Sequence, residues 1–347
     1  MTVSLHSLPC FSLVTLAVIS AAACSASSGP GFDADSGVSF ADAGGGDGAS
    51  FGGDGSGPPP GTGKTVLYAH DNSTLYSVDA ADPKLAATMV GKFDCIGGSA
   101  GQPTSMTDIA VDKDGKLYGV GTNTIFLDMT ISGPVVKCTA GARPITQSGA
   151  KVKFYGMSFA PIGTLDPQNE TLLVGNTDGE VYKVDVATGN ITLINNFGTV
   201  PAGKGFLYPG GLWEMSGDIV FLENNGSPIG FATVRDCQSP PSSTTCNPTD
   251  TLVQIDLAKF AQGTPGAGVT IRGQITKSTS CTDTTPKYGS MFGIAAFQDK
   301  IIGFSHSGFT VSISNNDGSA CLIAGSQPKW DGAGVTTKAP VVAPPPR

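Results

Sequence analysis

Beyond residue 64 the chain reads as short apolar or alternating runs punctuated by turns, and the runs recur in a fixed order. One strand type is rich in small residues: 106–112, 154–160, 208–214, 290–296 and 332–337. A turn and an apolar strand follow, at 66–69, 116–120, 171–175, 218–222 and 300–304. A third strand type alternates, as in Val181-Tyr-Lys-Val-Asp185, and recurs at 75–79, 124–128, 252–256 and 309–313. The fourth is more polar, at 86–93, 134–137, 190–196, 268–275 and 319–324. Four short strands per unit of roughly 40–55 residues is the pattern of a propeller blade. The first unit lacks its small-residue strand, and a spare one stands at the C-terminal end. The two ends therefore predict an all-β propeller closed by pairing of its terminal strands, which hides the open edges. The count is five blades, or six if the long fourth unit conceals another. Small residues on the first strand fit crowding around the axis.

Composition agrees. The chain has 48 Gly and 24 Pro, with charged residues at only 14%. Good helix formers are scarce, which favours strands and tight turns. Net charge is −8, unevenly spread. Residues 1–63 hold five acids (Asp33, Asp35, Asp42, Asp47, Asp54) and no Lys or Arg, so the rest carries 23 acids against 20 bases. No basic stripe is present, so a nucleic-acid partner has no electrostatic footprint.

The N-terminus predicts export. Phe11–Ser20 is a short apolar core, too short to span a bilayer and suited to a signal peptide over residues 1–23. Ala21-Ala22-Ala23-Cys24 resembles the bacterial lipobox, although Ala21 stands where that pattern prefers Leu. The resemblance implies lipidation of Cys24 and, since Ser25 is not Asp, an outer-membrane or cell-surface location; plain secretion or a periplasmic location is the alternative. Residues 24–63 form a Gly/Ser/Asp/Pro tract that cannot bury a core and reads as a disordered tether. A tether of this length has an r.m.s. reach of about 35 Å. The propeller follows over 64–340, then a Pro-rich tail over 341–347.

Two motifs are decoys. Pro58–Thr65 reads PPPGTGKT, close to a Walker A loop, but a disordered tract precedes it and a strand, not a helix, follows. No nucleotide is expected. Gly303–Gly308, GFSHSG, is one residue too long for a nucleophile elbow. No catalytic residue is assigned.

Candidate binding residues come from the blade scheme. Loops between the second and third strands share a face with the loops between blades. That face is expected to carry His70, Asp71, Asn176, Asp178, Glu223 and His306, together with an insertion over about 225–251; Trp213 is a further candidate. His70, Asp71, Glu223 and His306 are also considered as holders of a divalent cation at the channel mouth, though no metal or other cofactor is assigned. Asp112-Lys-Asp-Gly115 and Asn176-Thr-Asp-Gly179 read as hairpin turns rather than calcium loops. Six cysteines follow the tether, none with CxxC spacing, which favours disulfides over zinc. They allow 15 arrangements; the blade scheme favours Cys95–Cys138, Cys237–Cys246 and Cys281–Cys321.

Gly115-Lys-Leu-Tyr118 and Val181-Tyr-Lys-Val-Asp-Val-Ala-Thr-Gly189 resemble NHL-, YVTN- and gluconolactonase-like propellers. The tether and the ending Gly332–Pro340 resemble lipoproteins of myxobacteria. Together these readings predict an envelope-anchored binding module that meets a protein or glycan through its loop face. A metal-dependent hydrolase or lactonase of the gluconolactonase-like type is the alternative. That resemblance asks for an early Glu, then Asn and Asp on inner strands, and no clear Glu precedes Glu170.

Overall fold

The computed structural model describes residues 65–97, 102–145, 153–224, 227–238, 245–285, 287–298 and 300–338. The stretches expected to form a signal peptide (1–23), a lipidated Cys24, a tether (24–63) and a tail (341–347), and the Walker-like Pro58-to-Lys64 run, lie outside the described residues.

The described chain is a five-bladed β-propeller. Blade 1 consists of Val66–His70, Thr74–Asp79 and Ala87–Phe93, and its innermost strand is Gly332–Val335 from the far end of the chain. Leu67 pairs with Val335 and His70 with Gly332 in antiparallel register. This is the predicted closure, and it leaves the first strand no bare edge. Blade 2 runs through Met106–Val111, Leu117–Gly121 and Thr124–Ser132. Two short outer segments complete it: Val135–Lys137 and Ala142–Pro144. Val135–Lys137 also pairs in parallel with the outer strand of blade 1, joining the two blades into one sheet. Blade 3 is Phe154–Ala160, Thr171–Asn176, Glu180–Val184 and Ile191–Asn196. Blade 4 is Trp213–Asn224, Ser227–Asp236, Thr251–Ile255 and Val269–Gln274. Blade 5 is Met291–Phe297, Lys300–Ser305, Thr310–Ile313 and Ala320–Ala324.

Blade 4 departs from the sequence expectation. The runs 208–214 and 218–222 are not separate strands; Trp213–Asn224 is one inner strand, bulged between Met215 and Ile219. The Ser216-Gly217-Asp218 bulge interrupts the apolar run and imitates a turn. The second strand is Ser227–Asp236, within the stretch read as an insertion, so the loop to the third strand spans only 237–250. A short helix, Leu257–Gln262, was also unforeseen. Asp256 starts it by accepting a hydrogen bond from the Lys259 amide.

Each hydrophobic core lies between two successive blades. Leu75 and Phe93 of blade 1 meet Met106 and Ile109 of blade 2. Leu173 and Val181 of blade 3 meet Trp213 and Ile219 of blade 4. Leu67 and Val78 of blade 1 meet Ile302 and Phe304 of blade 5, so packing as well as pairing closes the ring. A blade between two neighbours is buried on both faces, which is why Met106–Val111 is buried along its whole length. Crowding near the axis is concrete at Gly293, where a Cβ would stand 2.5 Å from the Ala333 nitrogen.

The three disulfides are Cys95–Cys138, Cys237–Cys246 and Cys281–Cys321. The first ties blade 1 to blade 2, the second closes the loop after Ser227–Asp236, and the third anchors the linker into blade 5 on its outer strand.

Candidate functional site

Every inner strand opens with a large apolar residue sunk between blades: Met106, Phe154, Trp213 and Met291, with Trp330 just before the closing strand. Successive side chains on a strand point to opposite sides. The next residue of each blade is Thr107, Tyr155, Glu214, Phe292 and Asp331. These five, one per blade, line a cavity of about 480 Å³ at the loop-face end of the channel. Asn72 and Thr177 from the turns, and Cys246, Asn247 and Pro248 from the disulfide-closed loop, complete its rim.

One wall is a connected stack. The Arg235 Nε lies 3.5 Å from Asp250 Oδ1, and its guanidinium stands 5.6 Å from the centre of the Phe292 ring. The His306 ring packs on Phe292 with centroids 4.9 Å apart, and its Nδ1 is 3.0 Å from Asp331 Oδ1. Both basic side chains on this wall thus have acidic partners. Glu214, the cross-strand partner of Arg235, and Asp178 have no ion pair within salt-bridge distance among the described residues. Burial, partly offset by Arg235 and reinforced by Asp178, pushes the Glu214 carboxyl up to about 7. Burial and then Glu180 raise Asp178 as well. Glu214 also lies 3.7 Å from the Cys246 sulfur.

The sequence-predicted residues divide. His306 reaches the cavity wall, and Asp178 acts on Glu214 beside it. Asn176 is buried within its turn, where it accepts from the Asp178 and Glu180 amides and donates to Glu180. Asp71 likewise caps its turn, accepting from the Ser73 and Thr74 amides and from Tyr76. Trp213 is corrected to a core residue: it is 2% exposed and packs edge-on against Phe206 at 5.0 Å. Glu223 is corrected to the opposite end of the channel, because its backbone pairs with Pro228 at the hairpin between first and second strands. His70 is fully buried inside the ring rather than displayed on it. The cation set of His70, Asp71, Glu223 and His306 is therefore not assembled.

At the waist of the channel lies a group that sequence reading missed. Asp108 on blade 2 and Asp218 on blade 4 are both wholly buried. Asp108 accepts from the Ile109 amide at 2.9 Å, the Met157 amide at 2.7 Å and the Ala333 amide, so it holds blades 3 and 1 as well. Burial raises both carboxyls well above the ordinary range. His70 Nε2 sits 4.0 Å from Asp108 Oδ1 without a hydrogen-bond partner. A Cβ on Gly332 would lie 2.2 Å from that nitrogen and 2.4 Å from that oxygen, so only glycine fits beside the two side chains. The one legible signal was an Asp inside the apolar run Met-Thr-Asp-Ile-Ala-Val. Beyond Asp218 a second cavity, about 290 Å³, opens at the far end of the channel between Met157, Val220, Ile294 and Gly334.

Metal-ligand clusters among the described residues are Asp94 with Cys95 and Cys138, and Glu214 with Cys237 and Cys246. In both, the sulfurs are joined as a disulfide and present no thiolate. The Glu, Asn and Asp set asked for by the gluconolactonase-like resemblance is likewise not assembled among the described residues: the acids of the inner strands here are Asp108, Glu214, Asp218 and Glu223, and Glu170 accepts from the Lys113 amide and from Thr337.

No protein-family model matches the sequence, and no curated protein does. Among solved structures, the chain is similar to a protein of unknown function from Bacteroides caccae at 8% identity and a TM-score of 0.39, covering 79% of this chain and 100% of that one. A Bacteroides thetaiotaomicron protein of unknown function is 14% identical with a TM-score of 0.35, over 80% of this chain and 62% of that one. BamB from Moraxella catarrhalis is 14% identical with a TM-score of 0.29, over 74% of this chain and 60% of that one. The chain thus spans less than two thirds of the latter two. Likeness at this level identifies no family, and the fold assignment stands on the strand pairing. No helix among the described residues is long and apolar enough to cross a membrane.

Proposed function

We propose that this chain is an exported, envelope-anchored binding module whose loop-face cavity receives part of a protein or glycan ligand. The observation that carries this reading is the ring of Thr107, Tyr155, Glu214, Phe292 and Asp331 around a concave site of ligand size. The cavity mixes two rings with hydroxyl, amide and charged groups, which is binding chemistry without a matched catalytic pair. Its rim is held by the Cys237–Cys246 loop and its wall by the Arg235–Phe292–His306 stack, so little ordering is left to be done on association. Glu214 and Asp178 favour a ligand that brings a positively charged group, since among the described residues neither has an ion-pair partner within salt-bridge distance and Arg235, beside Glu214, is paired with Asp250. Three disulfides support an oxidising compartment, and attachment through lipidated Cys24 supplies the anchor.

The test screens the full chain against glycan and peptide arrays, beside Glu214→Gln and Tyr155→Ala variants. The expected result is a ligand class carrying amino or guanidinium groups, bound by the wild type and lost by Glu214→Gln. Binding that both variants retain would place the site elsewhere. Labelled fatty acid should enter the chain in cells and be absent from Cys24→Ala; equal labelling of both would refute the anchor.

A further inference from the structure

The loop-face cavity continues outward into an apolar lip. Exposure alternates where the inner strand of blade 4 begins: Leu212 is 38% exposed, Trp213 is buried, Glu214 is half-buried in the cavity and Met215 is buried. Leu212 and Glu214 therefore share one side of the chain, two residues apart. A strand advances about 3.3 Å per residue, so the leucine stands about 7 Å further out toward the loop face than the glutamate. Leu207 reaches the same lip by another route. Its amide and that of Tyr208 donate to Asp236 Oδ2, at 2.5 and 3.1 Å. Asp236 pairs across the sheet with Trp213, and its carbonyl accepts from the amide of Asn247, which lines the cavity. Leu207 is 57% exposed.

The segment that carries both leucines is ordered. Its ends are pinned: Thr199 bridges Leu212, and the Val200 amide donates to the Gly211 carbonyl at 2.8 Å. Val200 and Phe206 are sunk into the core between blades 3 and 4, with Phe206 edge-on to Trp213. The loop thus buries two apolar side chains and leaves two others in water. A single exposed leucine is ordinary. Two of them held on one lip, above a carboxylate with no ion pair among the described residues, form a surface with an apolar and an anionic half.

We propose that lip and cavity together read an extended peptide segment in which a lysine or arginine and a bulky aliphatic residue are separated by one residue, the cation entering toward Glu214 and the aliphatic side chain covering Leu207 and Leu212. The inference rests on the reading of the loop-face cavity as a site for a cationic group, and it names the class of partner. The spacing follows from the offset of about 7 Å, which is two residues of an extended chain, whose side chains then point the same way. The stem of a lysine or arginine is itself apolar and can lie along the lip while its charged head reaches inward. An amino sugar supplies the cation but carries no aliphatic side chain. Laying its hydroxyl groups over the leucines would desolvate them without partners.

The experiment titrates the full chain with three end-blocked heptapeptides, followed by nuclear magnetic resonance. The first is Gly-Leu-Gly-Lys-Gly-Leu-Gly, which offers leucine two residues from the lysine in either chain direction. The second has alanine for both leucines, and the third has norleucine for lysine. The leucine peptide should bind about tenfold tighter than the alanine peptide, the worth of roughly 55 Å² of apolar surface. The norleucine peptide should bind more weakly than the leucine peptide by about tenfold or more. In a Leu207→Ser, Leu212→Ser double variant the leucine and alanine peptides should bind alike. Equal affinity of these two peptides for the wild type overturns the proposal, and so does a leucine advantage that the double variant keeps. If the double variant fails to fold, Leu207→Ser alone, at the more exposed position, should still shrink the advantage. A chitosan oligomer bound by the wild type and lost by Glu214→Gln, with no leucine advantage among the peptides, overturns the peptide lip and leaves the cation site standing. Binding of every probe without dependence on its amino group brings down both.

Discussion

Glu214 offers a direct measure of how much the cavity departs from water. Its carboxyl moves from an ordinary 4.5 to about 7, chiefly through burial. Between those values the folded chain holds a proton that the unfolded chain has released, so folding stability falls as pH rises. Each pH unit is worth about 1.4 kcal/mol, which sets a ceiling of roughly 3 kcal/mol. The group is only half-buried, and solvent screening brings the expected effect down to about 1–2 kcal/mol. Glu214→Gln is neutral throughout and does not titrate. Urea unfolding of both proteins, measured from about pH 5 to pH 8, isolates the term, because every other carboxyl cancels in the difference. The variant should gain about 1–2 kcal/mol on the wild type across that range. A difference that stays constant with pH would mean that the carboxyl is as well solvated in the cavity as in the unfolded chain. The desolvated-site reading would then fail.

Other outcomes follow from packing and chain topology. Gly332→Ala should cost about 1–3 kcal/mol in chemical denaturation, because the new methyl meets His70 and Asp108, which are fixed by burial; an unchanged midpoint would mean that the closing strand shifts freely. Replacing Cys95 and Cys138 together with Ser opens a loop of sequence separation 43, and by chain entropy should cost about 4 kcal/mol. The same change at Cys237 and Cys246, separation 9, should cost about 2.5 kcal/mol, and the reverse ranking in urea would contradict the entropic account. Phe260→Ala should cost about 3–5 kcal/mol, since this wholly buried ring fills the core between blades 3 and 4. A calorimetric loss under 1 kcal/mol would show that the site collapses around the gap.

The repeat order was legible because a blade is a local object. Four strands and their hairpin turns lie within about 50 residues, and turn chemistry with alternation writes each of them into the chain. The closure was legible too, because a missing strand at one end and a spare at the other are matters of counting. Of the disulfides, Cys95–Cys138 follows from neighbouring blades and Cys237–Cys246 from closeness within one loop. Blade 4 was misread where a three-residue bulge looks like a turn and where Ser227-Pro-Ile-Gly230 opens a strand with turn residues.

The site itself was hidden for a different reason. Whether Trp213 or Glu214 faces the axis depends on the register of one strand against its neighbour, and a shift of one residue exchanges the two. Local sequence carries both options equally, and only the packing of blade 4 on blade 3 decides that the indole goes into the core and the carboxyl into the cavity. Asp108, Asp218 and His70 are far apart along the chain and share no motif. Their burial depends on the closing of the ring, which brings the inner strands of separate blades to one axis, where water is excluded.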